Sequence, residues 1–579
     1  MLSSNLENLR HSLAHLLARA VLQEFPDAQL GVGPVVENGF YYDFLLPRPL
    51  TQENLKSFER AIRKMAGQKL AFESEDWPIK KAEEYFKNQP FKLELIKEKS
   101  DGQTAQVYKT GEFVDFCKGG HVQNTGEIDP KAFKLTAIAG AYWKGDEKRK
   151  QLQRVYGVAF EKPAELEAYL KQIEEAKKRD HRKLGKELDL FVFSELVGPG
   201  LPLWTPKGTL LRNILDDFVW QLRRAKGYEK VEIPHITKKD LFEISGHWDK
   251  FKDELFKITT REGHVFAMKP MNCPFHTQIF ASRPRSYREM PQRYANTTMC
   301  YRDEQTGELF GLSRARAFTQ DDAHVFCRQD QIEPEMFAVW DIIEEFYKAF
   351  GFELKVRLSL HDPQAPEKYL GKNATWLEAE ALLRTLTKKR GVEVVEALGE
   401  AAFYGPKIDF MAHDSLGRPW QVATIQLDFN MPERFDLTYI SEQGTKERLF
   451  MIHCAIMGSI ERFLSVVIEH FSGAFPLWLS PVQVAVLPVS QNHEAYAKEV
   501  VAALQAAGIR AELSSANETL GKRIRAAAQQ KTPYLGVVGE KEITEKTLTV
   551  RGRGGQDLGA LTIKKFIDDL QRQIHLRSV

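Results

Sequence analysis

Read along the chain, the spacing of apolar positions divides residues 1–579 into four stretches. In residues 1–160 the segments MLSSNLENLRHSLAHLLARA (1–20) and TQENLKSFERAIRKMAGQ (51–68) repeat apolar positions at helical spacing, whereas NGFYYDFLL (38–46) reads as a strand. Helices and short strands mixed in this way predict an α+β domain. Residues 161–200 are dominated by KPAELEAYLKQIEEAKKRDHRKLGKELDLF (162–191), helical and dense in lysine and arginine. Its plain reading is a solvated linker helix, and its alternative is a basic strut against RNA. Residues 201–477 form a long section rich in strands and arginines. It opens on GTLLRNILDDFVWQLRRAKGYEKVEIPHI (208–236), a long helix leading into a strand that carries Pro234. Proline inside a strand marks an edge or interface position.

In residues 478–579 strands alternate with helices: VQVAVLPV, HEAYAKEVVAALQAAGI, RAELSS, ETLGKRIRAAAQQ, then strands YLGVVG and KTLTVRGR and the helix TIKKFIDDLQRQIHL. That alternation predicts a small parallel or mixed sheet covered on both faces. No glycine-rich phosphate loop follows its first strand, which disfavours a nucleotide-binding Rossmann unit.

Composition changes this picture little. A chain of 579 residues is too long for one core. Apolar content of 43% and charged content of 28% describe a folded globular protein. The formal charge of +2 gives no global sign of nucleic-acid binding, so any basic surface is local. Five scattered cysteines do not make a disulfide framework and fit a reducing compartment. The N-terminal helix carries charges throughout, unlike a signal peptide, and no apolar run is long enough to cross a bilayer. The expected location is cytoplasmic, with no membrane partner.

Candidate chemistry concentrates in three places. The first is MCYRDEQTGELFGLSRARAFTQDDAH (299–324), which reads as two strands joined by a loop, with Arg302 and Glu304 on the first and Arg314 and Arg316 on the second. Residues two apart on a strand share a face, so each pair projects together. Guanidinium groups so placed hold phosphate bidentately and a carboxylate accepts from an exocyclic amine; the alternative is a cross-strand ladder of ion pairs. The second is RLFMIHCAIMGSIERFLSVVIEHF (448–471), a strand that becomes a helix with Arg462 one turn in, an anion site by virtue of its helix N-terminus. The third combines His11 and His15 on one face of the first helix, opposite Leu13, Leu16 and Leu17, with Asp115, Cys117 and His121 in DFCKGGHV. By spacing alone HxxxH with CxxxH reads as a zinc site; two solvent-facing histidines and an unrelated turn are the structural alternative.

The helix with the proline strand, YRDE with its loop and arginine-bearing strand, and GSIERF opening a helix resemble the three signature motifs of class II aminoacyl-tRNA synthetases. Within that class SGHWDKFKDELF, MKPMNCPFH, RAFTQDDAHVF, AFYGPKIDF and VATIQLDFNMPERF are similar to the threonyl-tRNA synthetases, in one order over nearly the whole chain. The resemblance implies an α+β multidomain protein. An α+β editing domain would occupy residues 1–160, a basic helical linker 161–200, a class II antiparallel sheet core with flanking helices 201–477, and an anticodon-binding α/β domain 478–579. It implies ATP-dependent formation of threonyl-adenylate and transfer to tRNA(Thr), with magnesium accompanying ATP.

By the same resemblance Arg302 holds the α-phosphate, Glu304 the adenine amine, and Arg314 and Arg462 the outer phosphates and adenine, with Phe318, Gln421 and Thr424 completing the ATP site. Asp322 takes the ammonium of L-threonine, with Met271, Gln320, Tyr404, Gln426 and Ser459 nearby. Cys273, His324 and His453 hold one zinc ion per subunit; His276, Cys300, Cys327 and Cys454 compete for that role on residue type alone. A metal chelated by both amino and hydroxyl groups rejects valine, whereas serine lacks only a methyl, worth about 1–3 kcal/mol. Serine therefore passes once in about ten to a few hundred events.

The N-terminal stretch resembles the editing domain that removes that serine without a metal, using His11, His15, Asp115, Cys117 and His121, with Tyr42 and Lys92 as further members. In the C-terminal domain Glu542 and Arg551 are the candidates for reading anticodon bases, arginine pairing with guanine and glutamate accepting from cytosine. RGRGG around Arg551 has the alternative of a basic hairpin turn gripping phosphates. A homodimer is expected from the helix and Pro234 strand.

Full-length bacterial relatives usually carry a ubiquitin-like domain ahead of the editing domain, and this chain begins where that domain would end. Cys454 stands where the family commonly has arginine, and FCKGGHV replaces a more usual CRGPHV. Other functions compatible with the motifs are a prolyl or seryl class II ligase and a non-catalytic synthetase-like tRNA-binding protein; retention of Arg302 and Arg462 speaks against the last.

Overall fold

The computed structural model describes residues 4–100, 102–146, 148–413 and 417–577. They form two compact units divided after Glu174, inside the helix Pro163–Arg179.

The first unit is built on the helix Ser4–Glu24, whose Leu13, Leu16, Leu17 and Val21 are wholly buried. Beside it lies the helix Gln52–Ala66, with Leu55, Phe58, Ile62 and Met65 on one face at three- and four-residue spacing. Burial of each such side chain contributes about 1.5–3 kcal/mol, which is why this face fixes how the helix lies. Both helices cover an antiparallel sheet ordered Gln29–Leu30, Gly39–Leu45, Gln151–Ala159, Phe133–Tyr142. A second antiparallel sheet, Glu73–Pro78, Thr104–Thr110, Phe113–Phe116, has its own core around Trp77, Phe91, Ile96 and Trp143.

The second unit centres on a sheet ordered Glu229–Lys230, Gln292–Tyr301, Ala317–Cys327, Phe450–Ser459, Pro419–Asp428, Lys407–His413, Leu354–Leu360, Val394–Leu398. Its inner pairs are antiparallel and its two outermost pairs parallel. The helices Pro206–Ala225, Ile332–Lys348 and Ile460–His470 cover one face, burying Val339, Trp340, Ile343 and Phe346 against it. The other face is left open in part, and the site lies there.

Two local readings need correction. The strand after Tyr228 stops at Lys230, so Pro234 sits in the connection to Ile236–Lys238 and not inside a strand. Likewise the strand carrying Tyr301 ends there and its partner begins at Ala317, so Arg302, Glu304, Arg314 and Arg316 all lie in the connecting loop. Pairing persists one step beyond the strands, Arg302 N–H donating to the Arg316 carbonyl at 2.9 Å. Beyond that the chain turns through Thr306–Glu308 and a tight bridge between Phe310 and Arg314, so strand alternation does not govern where these side chains point.

At the C-terminus the sheet runs Ala511–Leu513, Val484–Pro488, Tyr534–Val538, Thr547–Gly552, Asp557–Thr562, parallel in its first two pairings and antiparallel in the rest. The expected mixed sheet is present, and every residue of Val484–Pro488 is buried. The short helix Glu540–Glu545 and the strand Asp557–Thr562 were not anticipated.

Candidate functional site

Strand period and register assemble the main site. Along Ala317–Cys327, Phe318, Gln320, Asp322 and His324 face one side, while Ala323, Val325 and Cys327 enter the core on the other. Across the sheet His324 stands opposite His453, and His453 opposite Gln426; Gln320 stands opposite Ser459. A cavity of about 400 Å³ opens over this face. It is lined by every residue expected to touch nucleotide or amino acid: Arg302, Glu304, Arg314, Phe318, Gln421, Thr424, Arg462, Met271, Gln320, Asp322, Tyr404, Gln426 and Ser459.

The cavity is strongly polarised. Arg302 lies between the rings of Phe251 and Phe318, 5.2 Å from each centroid, and its buried Nε has no acceptor among the described residues. Arg462 donates through Nε to the Ser313 carbonyl at 3.1 Å. Although its tip is open to solvent, desolvation by the cleft walls, and then the cations Arg302 and Arg314, lower it from its ordinary value. Two guanidinium groups without carboxylate partners among the described residues, held close to one another, favour an anion between them. Arg314 is different: it pairs with Glu304 at 2.7 Å and Glu308 at 3.0 Å, so the ion-pair alternative holds for this residue. Arg316 is fastened to backbone, its Nε donating to the Glu304 carbonyl at 3.0 Å.

At the opposite end Asp322 is buried and accepts from Asn272 Nδ2 at 3.1 Å; burial pushes its carboxyl up to about 6. Asn272 is in turn held by the buried Lys269 ammonium at 3.0 Å, which desolvation brings down to about 8. A buried carboxylate whose direct partner is a neutral amide suits an incoming ammonium group.

Cys273, His324 and His453 meet beneath this end, with one donor atom from each within 4.8 Å of the others. Asp428 accepts from His453 Nε2 at 2.8 Å, leaving His453 Nδ1 as a lone pair 3.1 Å from His324 Nε2. His324 Nδ1 meets His276 Nδ1 at 2.8 Å, and the buried Nε2 of His276 has no partner among the described residues. His247 Nε2 lies 3.6 Å from Cys273 Sγ. Burial keeps both His247 and His276 down at about 3, so both are neutral. The competing cysteines fall elsewhere. Cys454 is one residue from His453 on the same strand and so faces the core, near Tyr228 at 3.7 Å. There Arg223 binds the buried Asp321 at 2.5 Å, and Cys454 packs without approaching the donors. Cys327 is also in the core, and Cys300 contacts Asn272 and Gln320.

In the first unit the seven expected residues are brought together. Cys117 Sγ lies 3.3 Å from His11 Nε2 and 3.5 Å from His121 Nε2, and these with His15 form a second group of convergent donors. His11 Nδ1 faces the Gly120 carbonyl at 3.2 Å and His121 Nδ1 the Ser12 hydroxyl at 3.2 Å, which orients both rings. Asp115 accepts from Tyr42 at 2.5 Å and pairs with Lys92 at 2.5 Å, all three buried. Lys92 is thus tied to the group by a buried ion pair whose rupture costs about 3–5 kcal/mol. His15 is buried, so the pair of solvent-facing histidines is excluded. Burial, then the neighbouring histidine charges, hold His121 far below its usual range, and burial pushes the Cys117 thiol up to about 11. At neutral pH this pocket offers a thiol and neutral imidazoles. Gly120 has φ of +85°, a value that proline cannot adopt, and its carbonyl faces His11 Nδ1.

In the C-terminal sheet Arg551 is exposed and has no partner among the described residues, whereas Glu542 accepts from Gly539 N–H and the Thr549 hydroxyl, each at 2.8 Å. Arg553 in the adjoining turn donates to the Lys531 and Phe475 carbonyls. Lys269, Asn272, His247 and Asp428 were missed from sequence, and His276 was weighed there only as a rival metal ligand; their signal was polar side chains inside apolar stretches such as MKPMNCPFH.

Residues 256–471 match the family model for the tRNA synthetase class II core domain (G, H, P, S and T), 483–573 the anticodon binding domain, and 105–156 the threonyl and alanyl tRNA synthetase second additional domain. The chain is 48% identical over 584 residues to a threonine–tRNA ligase of Gloeobacter violaceus, covering 99% of this chain and 93% of that one. It is 46% identical over 568 residues to one of Acetivibrio thermocellus, covering 98% and 88%. Among solved structures it is similar to the RNA binding domain of threonyl-tRNA synthetase from Cryptosporidium parvum, with 38% identity and a TM-score of 0.65 over 68% of this chain and 98% of that chain. A prolyl-tRNA synthetase of Giardia lamblia shares the fold, with 14% identity and a TM-score of 0.55 over 70% and 80%.

Proposed function

The chain belongs to the threonine–tRNA ligase family of class II aminoacyl-tRNA synthetases, and from that membership we propose that it joins threonine to tRNA(Thr) through threonyl-adenylate and hydrolyses seryl-tRNA(Thr) made in error. One observation carries the first part: the whole set of side chains expected for ATP and threonine lines a single cavity, cationic at one end and anionic at the other. Arg302 and Arg462 neutralise the phosphates while Asp322, steadied by Asn272 and Lys269, orients the amino group, so catalysis rests on positioning and charge. Glu304 is released to the adenine amine as Arg314 exchanges its carboxylates for phosphate.

Cys273, His324 and His453 fit a zinc ion. One thiol and two imidazoles with lone pairs converge, Asp428 fixes the ring of His453, and the orphaned Nε2 of His276 fits a tautomer in which His276 Nδ1 accepts from His324 and frees His324 Nε2. When bound, zinc supplies coordination positions that a hydroxyl fills and a methyl does not. One zinc per subunit is expected, and His276→Phe is expected to bind it about 10–100-fold more weakly in competition with a chelator. Unchanged affinity removes His276 from this role, and two zinc ions per subunit assign a metal to the His11, His15, Cys117, His121 group as well.

ATP–pyrophosphate exchange tests the activity. Threonine is expected to support it, serine about 10–200-fold less well and valine less than serine, with loss on chelation and recovery with zinc. Exchange driven by proline instead places the chain with the other class II ligases.

The pocket around Cys117 is the site of serine hydrolysis, with neutral imidazoles and the tRNA hydroxyls directing a water. Arg551 reads an anticodon base; Glu542 is engaged in capping its own helix and joins it only by sharing an oxygen. The chain forms a homodimer, for which the exposed Val192, Phe193, Leu196, Val197 and Leu203 provide an apolar surface. Sedimentation at the 66.3 kDa subunit mass removes that part.

A further inference from the structure

The arginine-bearing loop between the strands Gln292–Tyr301 and Ala317–Cys327 is held by a residue outside the cavity. His181, the first residue of the helix His181–Glu187, is wholly buried. Its Nδ1 lies 2.7 Å from Glu469 Oε1, near the end of the helix Ile460–His470, and its Nε2 receives the Leu312 N–H at 3.1 Å. A carboxylate oxygen only accepts, so Nδ1 carries the proton and Nε2 is the acceptor. One imidazole therefore ties the helix Ile460–His470, which carries Arg462 in its first turn, to the loop that carries Arg314. Asp180, His181 and Glu469 also cluster as metal donors do, yet each is engaged: Asp180 caps the helix through Arg182 N–H at 2.8 Å, and Arg418 holds the second oxygen of Glu469.

The loop is shaped to receive this ring. Gly311 has φ of +52°, and a Cβ there would stand 2.3 Å from His181 Nε2. Arg182 lies over Phe310 at 4.5 Å. Immediately beyond Leu312, the Ser313 hydroxyl meets that of Ser465 at 2.8 Å, and the Ser313 carbonyl accepts from Arg462 Nε at 3.1 Å. Displacement of Leu312 thus moves Ser313, the anchor of Arg462, and Arg314 next to it. The Leu312 N–H is buried, and without an acceptor it draws the loop toward another conformation.

We propose that His181 is a positioning residue for nucleotide binding: it sets the Leu312–Arg314 segment so that Arg314 and Arg462 face the phosphates together. The inference rests on reading those arginines as ATP ligands. His181 does not line the cavity.

The test uses two small substitutions in the full chain. His181→Asn keeps an amide within reach of Glu469 and loses the acceptor at Leu312; His181→Gln extends an amide oxygen to that acceptor position. In threonine-dependent ATP–pyrophosphate exchange, His181→Asn is expected to raise the KM for ATP about 10-fold or more with the KM for threonine nearly unchanged. His181→Gln is expected to restore most of the ATP affinity. A purely structural role lowers the melting temperature of both variants and does not separate the two substrates. An ATP KM unmoved in a folded His181→Asn variant, or raised equally in both, overturns the proposal. If His181→Asn does not fold, Gly311→Ala, which drives a methyl at the ring, carries the same test: a raised ATP KM supports it and a wild-type value overturns it. Absence of exchange in the unsubstituted protein instead removes the reading of the arginines themselves.

Discussion

His11→Ala is expected to slow hydrolysis of seryl-tRNA(Thr) by about 10²–10⁴-fold, the usual contribution of a positioned general acid or base. Threonine-dependent ATP–pyrophosphate exchange is expected to stay at its wild-type rate. His11 is the one imidazole of its group that also lines the open cleft with Glu7, Asn8, Val36, Gly119 and Gly120, so it can meet a bound ester and water. His15 is buried against Asp115 at 3.9 Å, and its loss would disturb the core as well as the chemistry. The Cys117 thiol, pushed up to about 11 by burial, is not a thiolate at neutral pH. Water guided by neutral nitrogens is therefore favoured over attack by sulfur. Deacylation is measured on preformed seryl-tRNA(Thr), with melting of the variant alongside. A wild-type deacylation rate in a folded His11→Ala variant would take the reaction out of this cleft.

How much of this was legible beforehand depended on whether the determining contacts were local. The helices Ser4–Glu24 and Gln52–Ala66 announce themselves because their buried faces recur every three or four residues within a single segment. The convergent Cys/His donors do not: His324 and His453 are 129 residues apart and meet only because the register of two antiparallel strands sets them opposite one another. Spacing could not choose them over Cys454, yet once the strand is known, alternation alone sends Cys454 to the core. The same rule misled at Arg302 and Arg314, where it was applied beyond the ends of the strands. Glu540–Glu545 escaped because six residues are too few to display a helical period. Lys269 and Asn272 lay in plain view in MKPMNCPFH, but their task, holding Asp322, exists only after the chain has folded.

Arg302→Ala is expected to lower kcat/KM for exchange by about 10²–10³-fold, the cost of losing one preorganised group at developing charge, while the protein keeps its melting temperature to within a few degrees. The two halves follow from one observation. The guanidinium of Arg302 has no carboxylate partner among the described residues, its Nε is buried without an acceptor, and its contacts are the faces of Phe251 and Phe318. Those ring contacts contribute about 0.5–1 kcal/mol each, partly offset because removing Arg302 also relieves its repulsion of Arg462. A group so weakly tied to its own fold can lose its side chain at little cost to stability, and on the proposed function it is there to meet the phosphate. Arg302→Lys is expected to recover little, since an ammonium lacks the planar pair of donors that meets two phosphate oxygens at once. Arg314→Ala is the contrasting case, because its pairing with Glu304 and Glu308 makes its loss a change in the resting loop as well as in the bound state. If Arg302→Ala instead lowered the melting temperature sharply while the folded variant kept its ATP affinity, the cationic end of the cavity would be a structural feature and the nucleotide would have to lie elsewhere.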